Sequence, residues 1–436
     1  MALVSESVAS HHEWSKGAIP RVTAAGRREY GLFLAATVLI VAHILNDEFL
    51  SREPGTSAGD HVLGAAVPIV VALLTAIFYP TVRGGVRGWI AILFGILALT
   101  RAVVALLEVA SVGVFGDDYT GILLLPAGAV LIAMGARTLW RSRKTSGSRV
   151  RRLLRRALIG VGAFVVGLEV VFPLAYAIFY THKPRMEVER ANLGRPYEEV
   201  TLQTSDGLDL AAWYVPSRNG AAVIAFPGRS GPVPHARMLA RHGYGVLLLD
   251  MRGQGESEGV STGLWDSSKD LAAAVAFLQD RPDVEGARIG GIGLSQGGEQ
   301  LIQAAAENPG LRAVVSDGAG IRSVREAVLR GGVVNRITLP VYALSSAAMA
   351  VLSGDAPPPA VKDLVPRVSP RPLFLIYAGQ GAGGEDLNPT YFRAAGEPKQ
   401  LWEIPEASHT GGLAARPKEY EHRVVAFFDR ALLEGT

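Results

Sequence analysis

The sequence contains no cysteine among its 436 residues, and it has few charged side chains for its length. The absence of cysteine excludes disulfide bonds and metal sites built on thiolates, and it leaves the redox compartment open. Only 19% of the residues are Asp, Glu, Lys or Arg, whereas 49% are hydrophobic, and the mean hydropathy is +0.25. These values are high for a soluble protein, so we expect a membrane region joined to a soluble region.

The net charge is distributed unevenly along the chain. Residues 1–182 hold 17 Lys and Arg against 11 Asp and Glu, whereas residues 183–436 hold 26 against 29. A nucleic-acid-binding domain concentrates basic residues on its own surface. Here the basic excess falls on the hydrophobic half, where membrane topology explains it, so we expect no nucleic-acid partner.

Five hydrophobic stretches precede residue 182, and most approach the roughly 20 residues that a helix needs to cross a bilayer. We therefore predict five transmembrane helices, at 31–50, 62–79, 88–107, 121–140 and 157–180. The alternative is a set of buried core helices in a soluble domain, but five such stretches in succession are rare there. The small number of polar residues within the spans favours an anchor or a sensor over a transporter.

Ionisable residues lie within or directly beside the predicted spans, among them Arg101, Glu108 and Glu169. A charge inside the hydrocarbon region is costly, so such residues predict either a functional site or a structural pair. Pairing within the helix bundle is the interpretation that we favour.

The segments between the predicted spans alternate in charge. The tail 1–30 is basic, the next connection is acidic, and the alternation continues to residues 141–156, which hold eight Lys and Arg. Basic segments favour the cytoplasmic side. We therefore predict a cytoplasmic tail that is not a cleavable signal peptide, and an extracytoplasmic chain beyond the fifth span. The 141–156 segment should also attract anionic lipid headgroups.

After a predicted linker at 183–197, short apolar runs alternate with helical patterns. The predicted strands are a hairpin at 198–216 and single runs at 221–226, 245–250, 288–294, 313–318, 372–379 and 400–405. The predicted helices include 267–280, 297–307 and 419–433. Apolar strands that alternate with helices favour a mostly parallel sheet with both faces covered. We therefore predict an α/β domain over 198–436.

One stretch of this domain, Gly293-Leu294-Ser295-Gln296-Gly297, has the form Gly-X-Ser-X-Gly. In a chain with 50 glycines the pattern alone is weak, but Ser295 lies directly between a predicted strand and a predicted helix. A nucleophilic serine on so sharp a turn needs small neighbours, because the backbone approaches closely on both sides. We therefore expect Ser295 to be a nucleophile, with the helix N-terminus stabilising an oxyanion.

A serine nucleophile needs a base, and the base needs a carboxylate that orients it. His409 follows the last predicted strand, and Glu385 and Asp386 follow the strand before it, which gives the chain order serine, acid, histidine. His409 is therefore the candidate base. Either Glu385 or Asp386 can supply the carboxylate.

The second half, over about 195–433, resembles the α/β-hydrolase superfamily, particularly its serine-aminopeptidase-like and acyl-ester hydrolase branch. The resemblance is carried by TSDGLDLAAWYVP at 204–216, AFPGRSG at 225–231, DMRGQGESEG at 250–259, GLSQGG at 293–298 and SHTG at 408–411. Pro227 stands where the family usually has histidine. The resemblance implies an α/β-hydrolase fold with a mostly parallel sheet and a small cap at about 321–365.

The resemblance also implies a role for each site residue. Ser295 would be the nucleophile, His409 the base and Glu385 the acid, with Asp386 as the alternative. The backbone N–H groups of Arg229 and Gln296 would form the oxyanion hole. No metal or organic cofactor is implied.

The sequence thus predicts a membrane-anchored serine hydrolase that cleaves an ester or amide bond through an acyl-enzyme. The substrate would be a small-molecule or peptide acyl compound, and ester, thioester, peptide and lipid all remain open. Two other functions also remain open. One is an inactive hydrolase-fold sensor or binding protein, and the other is an accessory to transport by the spans.

Overall fold

The computed structural model describes residues 24–51, 57–59, 61–112, 118–142, 148–182, 188–261, 267–381 and 383–434. The predicted tail lies outside these residues up to position 23, as do 143–147 of the basic segment and 183–187 of the linker. In the described chain, a bundle of apolar helices precedes an eight-stranded sheet with helices packed on both faces. The predicted fold class is confirmed.

The first half of the chain is helical. Its helices are α1 Ala24–Leu45, α2 Val62–Phe78, α3 Gly84–Val112, α4 Asp118–Arg141, α5 Arg149–Val166 and α6 Phe172–Thr181. A π-helical turn at Gly167–Val171 joins α5 to α6, so the two form one long apolar helix over Val150–Thr181. We call this continuous element the fifth apolar helix.

Six helices of the described chain are long and apolar enough to cross a membrane by length and composition, which supports a membrane protein. They are Gly26–Leu50, Val62–Thr81, Gly84–Ala110, Tyr119–Arg141, Val150–Thr181 and Gly332–Ser353. The first five overlap the predicted spans. The sixth lies within the predicted cap, where the sequence analysis expected no span.

Helices α3 and α4 pack closely because glycines face each other along their contact. A Cβ atom at Gly95 would lie 2.8 Å from the carbonyl oxygen of Gly128, and one at Gly88 would lie 2.9 Å from that of Gly135. In both helices the two glycines are seven residues apart, which places them on one face. Small residues at such positions let apolar helices approach to backbone contact.

Charged side chains meet at the end of the bundle from which the second half of the chain emerges. Arg101 Nη2 donates to Asp47 Oδ1 at 3.1 Å, and His61 Nδ1 lies 2.7 Å from Glu48 Oε2. His182 Nε2 lies 3.7 Å from Asp47 Oδ2. We call these five residues the charged cluster. Arg101 is therefore paired within the bundle, as the favoured interpretation expects.

The second half is built on a single sheet. Its strands are β1 Glu198–Gln203, β2 Asp209–Val215, β3 Ala222–Phe226, β4 Gly245–Leu249, β5 Ile289–Leu294, β6 Ala313–Asp317, β7 Leu373–Gln380 and β8 Lys399–Ser408. They lie in the order β1-β2-β4-β3-β5-β6-β7-β8. β2 is antiparallel to both of its neighbours, and the pairs from β4 through β8 are parallel. The carboxyl ends of β3 to β8 therefore meet at one edge.

Helices cover the sheet and extend from its carboxyl edge. They are α7 Val233–Arg241, α8 Ser268–Gln279, α9 Gln296–Glu307, α10 Val324–Arg330, α11 Gly332–Ser353, α12 Val361–Leu364, α13 Asn388–Ala394, α14 Gly412–Ala415 and α15 Pro417–Phe428. Successive residues of β3 enter opposite cores: Ile224 packs on the α8–α9 side and Val223 on the α7–α15 side. Both are fully buried, and each such side chain contributes about 1.5–3 kcal/mol on burial.

The predicted cap region contains a helical hairpin formed by α10 and α11. The turn between them is Gly331-Gly332, with φ of 67° and 79°, a conformation that glycine adopts readily. We call Val324–Ser353 the cap hairpin. α11 runs along α6, where Met349 and Ala177 are buried together. The cap hairpin therefore connects the sheet domain to the apolar bundle.

Candidate active site

Ser295 occupies the turn between β5 and α9, where its φ of 54° is in the left-handed region. This conformation costs a non-glycine residue about 1–3 kcal/mol and requires the surrounding structure to hold it. A Cβ at Gly293 would overlap the carbonyl oxygen of Gly297, and one at Gly297 would lie 2.5 Å from Pro227 Cδ. The two glycines of the Gly-X-Ser-X-Gly pattern are therefore required by close packing around the strained serine.

The structure brings three of the predicted site residues together. His409 Nε2 lies 2.8 Å from Ser295 Oγ, and His409 Nδ1 lies 2.5 Å from Glu385 Oε1. The other oxygen of Glu385 accepts the backbone N–H of Ala378 at 2.8 Å. Glu385 is 1% exposed, so its carboxylate is held in one orientation toward the imidazole.

The structure separates the two candidate acids that the sequence analysis left open. Asp386 points away from the histidine, and its Oδ2 accepts a hydrogen bond from Arg330 Nε at 2.9 Å. Its side chain is 58% exposed. Both residues lie in the 3₁₀ turn Glu385–Leu387, which follows Gly384 at a φ of 100°. The direction of this turn selects which of the two adjacent carboxylates faces inward.

The carboxylate of Glu385 also determines the electrostatics of the histidine. Its hydrogen bond raises the pKa of His409 above the ordinary value, and partial burial acts in the opposite direction. A second carboxyl, that of Asp317 at the end of β6, is buried and accepts the Tyr420 hydroxyl at 2.7 Å. Burial raises the pKa of Asp317 to about 7. The charge of Asp317 also acts to raise the pKa of His409.

Of the two predicted oxyanion donors, only Gln296 is suitably placed. It is the first residue of α9 and lines the cavity beside Ser295, so its backbone N–H has no acceptor within the helix. The backbone N–H of Arg229 instead donates to Asp250 Oδ1 at 3.0 Å. The Arg229 guanidinium pairs with Asp250 and Glu256. The structure therefore does not support the prediction that Arg229 is an oxyanion donor.

The strand order explains why the backbone N–H of Arg229 binds Asp250. β3 and β4 are parallel neighbours, so the loop that holds Arg229 and the Asp250 that follows β4 meet at the carboxyl edge. Asp250 therefore fixes this loop. Arg252, the next charged residue, is likewise structural, because it pairs with the buried Asp270 and with Asp206.

A cavity of about 690 Å³ adjoins Ser295 and His409. Three parts of the chain form its walls: the turns at the carboxyl edge of the sheet, the cap hairpin and the fifth apolar helix. The last contributes one residue from each of four successive turns, Leu168, Phe172, Tyr176 and Tyr180. The contribution of a predicted span to the site was not predicted, and no local pattern in the sequence indicates it.

In the part of the chain that the structure describes, no three His, Asp or Glu residues form a group that could hold a metal ion. The arrangement of Ser295, His409 and Glu385 is one that can activate a hydroxyl for attack on a carbonyl carbon.

Comparison with known proteins gives one family match. Residues 179–367 match the X-Pro dipeptidyl-peptidase (S15) family. The matched segment includes Ser295 and the cap hairpin, and it ends before Glu385 and His409.

Individual proteins are similar to this chain at low sequence identity. The uncharacterized protein YfhR of Salmonella typhimurium is 28% identical over 254 residues, which cover 54% of this chain and 82% of YfhR. The thiohydrolase aneE of Aspergillus aculeatus is 28% identical over 193 residues, 42% of this chain and 59% of aneE. The solved structure of the Pyrococcus furiosus esterase Pf2001 is 23% identical with a TM-score of 0.47, and the similarity covers 57% of this chain and 97% of the esterase.

Proposed function

We propose that this chain, whose second half has the α/β-hydrolase fold and a segment matching the S15 peptidase family, is a membrane-anchored serine hydrolase. The observation that carries the proposal is the 2.8 Å contact between Ser295 Oγ and His409 Nε2 at a strained turn beside a cavity. The bond cleaved would be an ester, thioester or amide bond of an acyl compound.

The proposed reaction has two halves. As Ser295 Oγ attacks the carbonyl carbon, His409 Nε2 takes the hydroxyl proton, and the backbone N–H of Gln296 donates to the developing oxyanion. The intermediate collapses when the imidazolium returns that proton to the leaving group, which leaves an acyl group on Ser295. Water then attacks the acyl-enzyme, again with His409 as base, and releases the acid and free Ser295. Glu385 holds the imidazole in the correct tautomer and stabilises its protonated form.

A fluorophosphonate probe tests this function, because it reacts covalently with activated serines. We expect the wild-type chain to be labelled and Ser295→Ala to remain unlabelled. The matched control is Ser205→Ala, since Ser205 is an exposed serine in the turn between β1 and β2. Labelling of this control should equal that of the wild type.

The same experiment addresses the inactive alternative. A hydrolase-fold sensor would lack an activated serine, so the wild type would not react with the probe. Failure of the wild type to label, or equal labelling of Ser295→Ala, would contradict the hydrolase proposal.

We further propose that the N-terminal tail is cytoplasmic and that the hydrolase domain lies outside the cytoplasm. The alternation of basic and acidic segments supports this orientation. The contacts are compatible with it, because Glu29 and Arg87 pair at one end of the bundle while Asp47, Arg101 and His182 meet at the other.

Reporter fusions test the orientation. Alkaline phosphatase needs disulfides and is active only outside the cytoplasm. A fusion after residue 190 should be active, whereas one after residue 145, within the basic segment, should be inactive. The reverse pattern would overturn the proposed orientation.

A further inference from the structure

The cavity beside Ser295 is elongated along the fifth apolar helix. Leu168, Phe172, Tyr176 and Tyr180 are spaced four residues apart, so they form a stripe about 18 Å long on one face of the helix. The three rings contact one another, with centroids 6.0 Å apart for Phe172 and Tyr176 and 4.4 Å apart for Tyr176 and Tyr180. One wall of the cavity is therefore a continuous and mostly apolar surface.

A second part of the lining is provided by α11 of the cap hairpin. Val341, Tyr342 and Met349 line the cavity from this helix, together with the small residues Ser345 and Ser346. The helix has the length and composition of a membrane span. Two apolar helices that pack against each other therefore both line the cavity, and its reactive groups, Ser295 and His409, come from the sheet domain.

Some residues that line the cavity are also exposed on the outer surface of the molecule. Two of its lining residues, Phe172 and Val334, are 52% and 73% exposed, so they contact both the cavity and the outer surface. Both helices carry further exposed apolar side chains. Phe164 on the fifth apolar helix and Val333 on α11 are 71% and 72% exposed. A helix with apolar side chains on its exposed face is suited to contact with lipid rather than water.

We propose that the substrate is an amphiphile of the bilayer with a long acyl chain, which enters sideways between α6 and the cap hairpin. The acyl chain lies along the aromatic stripe, and its carbonyl carbon reaches Ser295. Hydrocarbon fits this wall, because a water-soluble substrate would leave the apolar stripe in contact with solvent. This inference rests on the proposed serine hydrolase function and adds the substrate class and its route.

Reconstitution of the full chain into phosphatidylcholine vesicles tests the route. The probe is 4-methylumbelliferyl oleate, mixed into the same vesicles as the protein, and 4-methylumbelliferyl butyrate in water is the short-chain reference. We expect the oleate ester to be hydrolysed when it shares the bilayer with the protein. It should be hydrolysed much more slowly when supplied in separate, protein-free vesicles. This arm uses only the wild-type chain.

A matched pair of variants tests the cavity. Ser346→Trp places a large ring inside it, whereas Ala347→Trp places the same ring on the neighbouring exposed position of α11, outside the lining. The ratio of oleate to butyrate hydrolysis should fall about tenfold or more in Ser346→Trp, since a blocked apolar pocket discriminates against the longer chain. That ratio should be unchanged in Ala347→Trp.

The outcomes separate this inference from the function on which it rests. Equal oleate hydrolysis from shared and separate vesicles, or an unchanged ratio in Ser346→Trp, overturns the lateral route while butyrate hydrolysis and probe labelling uphold the hydrolase. A wild-type chain that hydrolyses neither ester and does not label overturns both.

Discussion

The two halves of the molecule each contain a histidine in close contact with a buried glutamate. In the bundle, His61 Nδ1 lies 2.7 Å from Glu48 Oε2, and in the sheet domain His409 Nδ1 lies 2.5 Å from Glu385 Oε1. The glutamates are 8% and 1% exposed. By distance, chemistry and burial of the glutamate the two pairs are nearly equivalent, although the side chain of His61 is 6% exposed and that of His409 is 39% exposed. A close histidine–glutamate contact therefore does not by itself identify a catalytic site.

The difference lies in what surrounds each pair. The imidazole of His409 has the hydroxyl of Ser295 at its second nitrogen, on a strained turn that faces a cavity. His61 and Glu48 belong instead to the charged cluster, in which Asp47 and Arg101 pair between helices. Charges at the end of an apolar bundle are stabilised by such pairing. The cluster therefore joins helices, whereas the pair in the sheet domain is placed to move a proton.

The largest effect on turnover is expected from Glu385→Gln, which tests the role of the histidine–glutamate pair in the sheet domain. Loss of the orienting carboxylate leaves the imidazole in the wrong tautomer, so kcat for an acyl ester should fall by roughly 10³–10⁴-fold. The carboxylate raises the pKa of His409, so its loss should lower that pKa. Because the base acts in its neutral form, the rising limb of the pH–rate profile should move to lower pH. Steady-state kinetics across a pH series measure both changes.

The matched control for this variant is Asp386→Asn, one position along the chain. Asp386 forms an exposed pair with Arg330, and such pairs contribute at most about 1 kcal/mol to stability. Its kcat and pH profile should therefore match the wild type. A large loss in Asp386→Asn together with normal turnover in Glu385→Gln would reverse the assignment of the acid.

The proximity of Ser295 and His409 could be predicted from sequence because its signals are local. Ser295 lies within a short glycine pattern at a strand–helix junction, and His409 follows the last strand in the required order. The choice between Glu385 and Asp386 depends on the direction of a single 3₁₀ turn, which adjacent acidic residues do not reveal. The resemblance to α/β-hydrolases, carried by these motifs, is confirmed by the fold and the S15 match.

Two features could not be predicted because they depend on packing between distant segments. Arg229 was expected to provide an oxyanion donor, but the pairing of β3 with β4 brings Asp250 to its backbone N–H. The apolar wall of the cavity arises where α6 meets α11, although 150 residues lie between these helices in the chain. The hydrophobicity of each segment carries no information about their contact.

The smallest effect on turnover is expected from Arg101→Met, which tests whether the charged cluster serves only to stabilise the fold. This change leaves the partly buried Asp47 without the guanidinium that lies 3.1 Å from it. Removal of one partner from a fully buried pair costs about 3–5 kcal/mol, so the loss of stability here should be smaller than that. The full chain in detergent should therefore unfold at a lower temperature, while the molecules that remain folded should label at Ser295 as the wild type does. Arg101→Lys retains the charge and should unfold closer to the wild-type temperature. Thermal unfolding and probe labelling on the same samples measure both properties.

If Arg101→Met instead reduced turnover as severely as Glu385→Gln at an unchanged unfolding temperature, the charged cluster would have a functional role. The distinction drawn here between the two histidine–glutamate pairs would then be wrong.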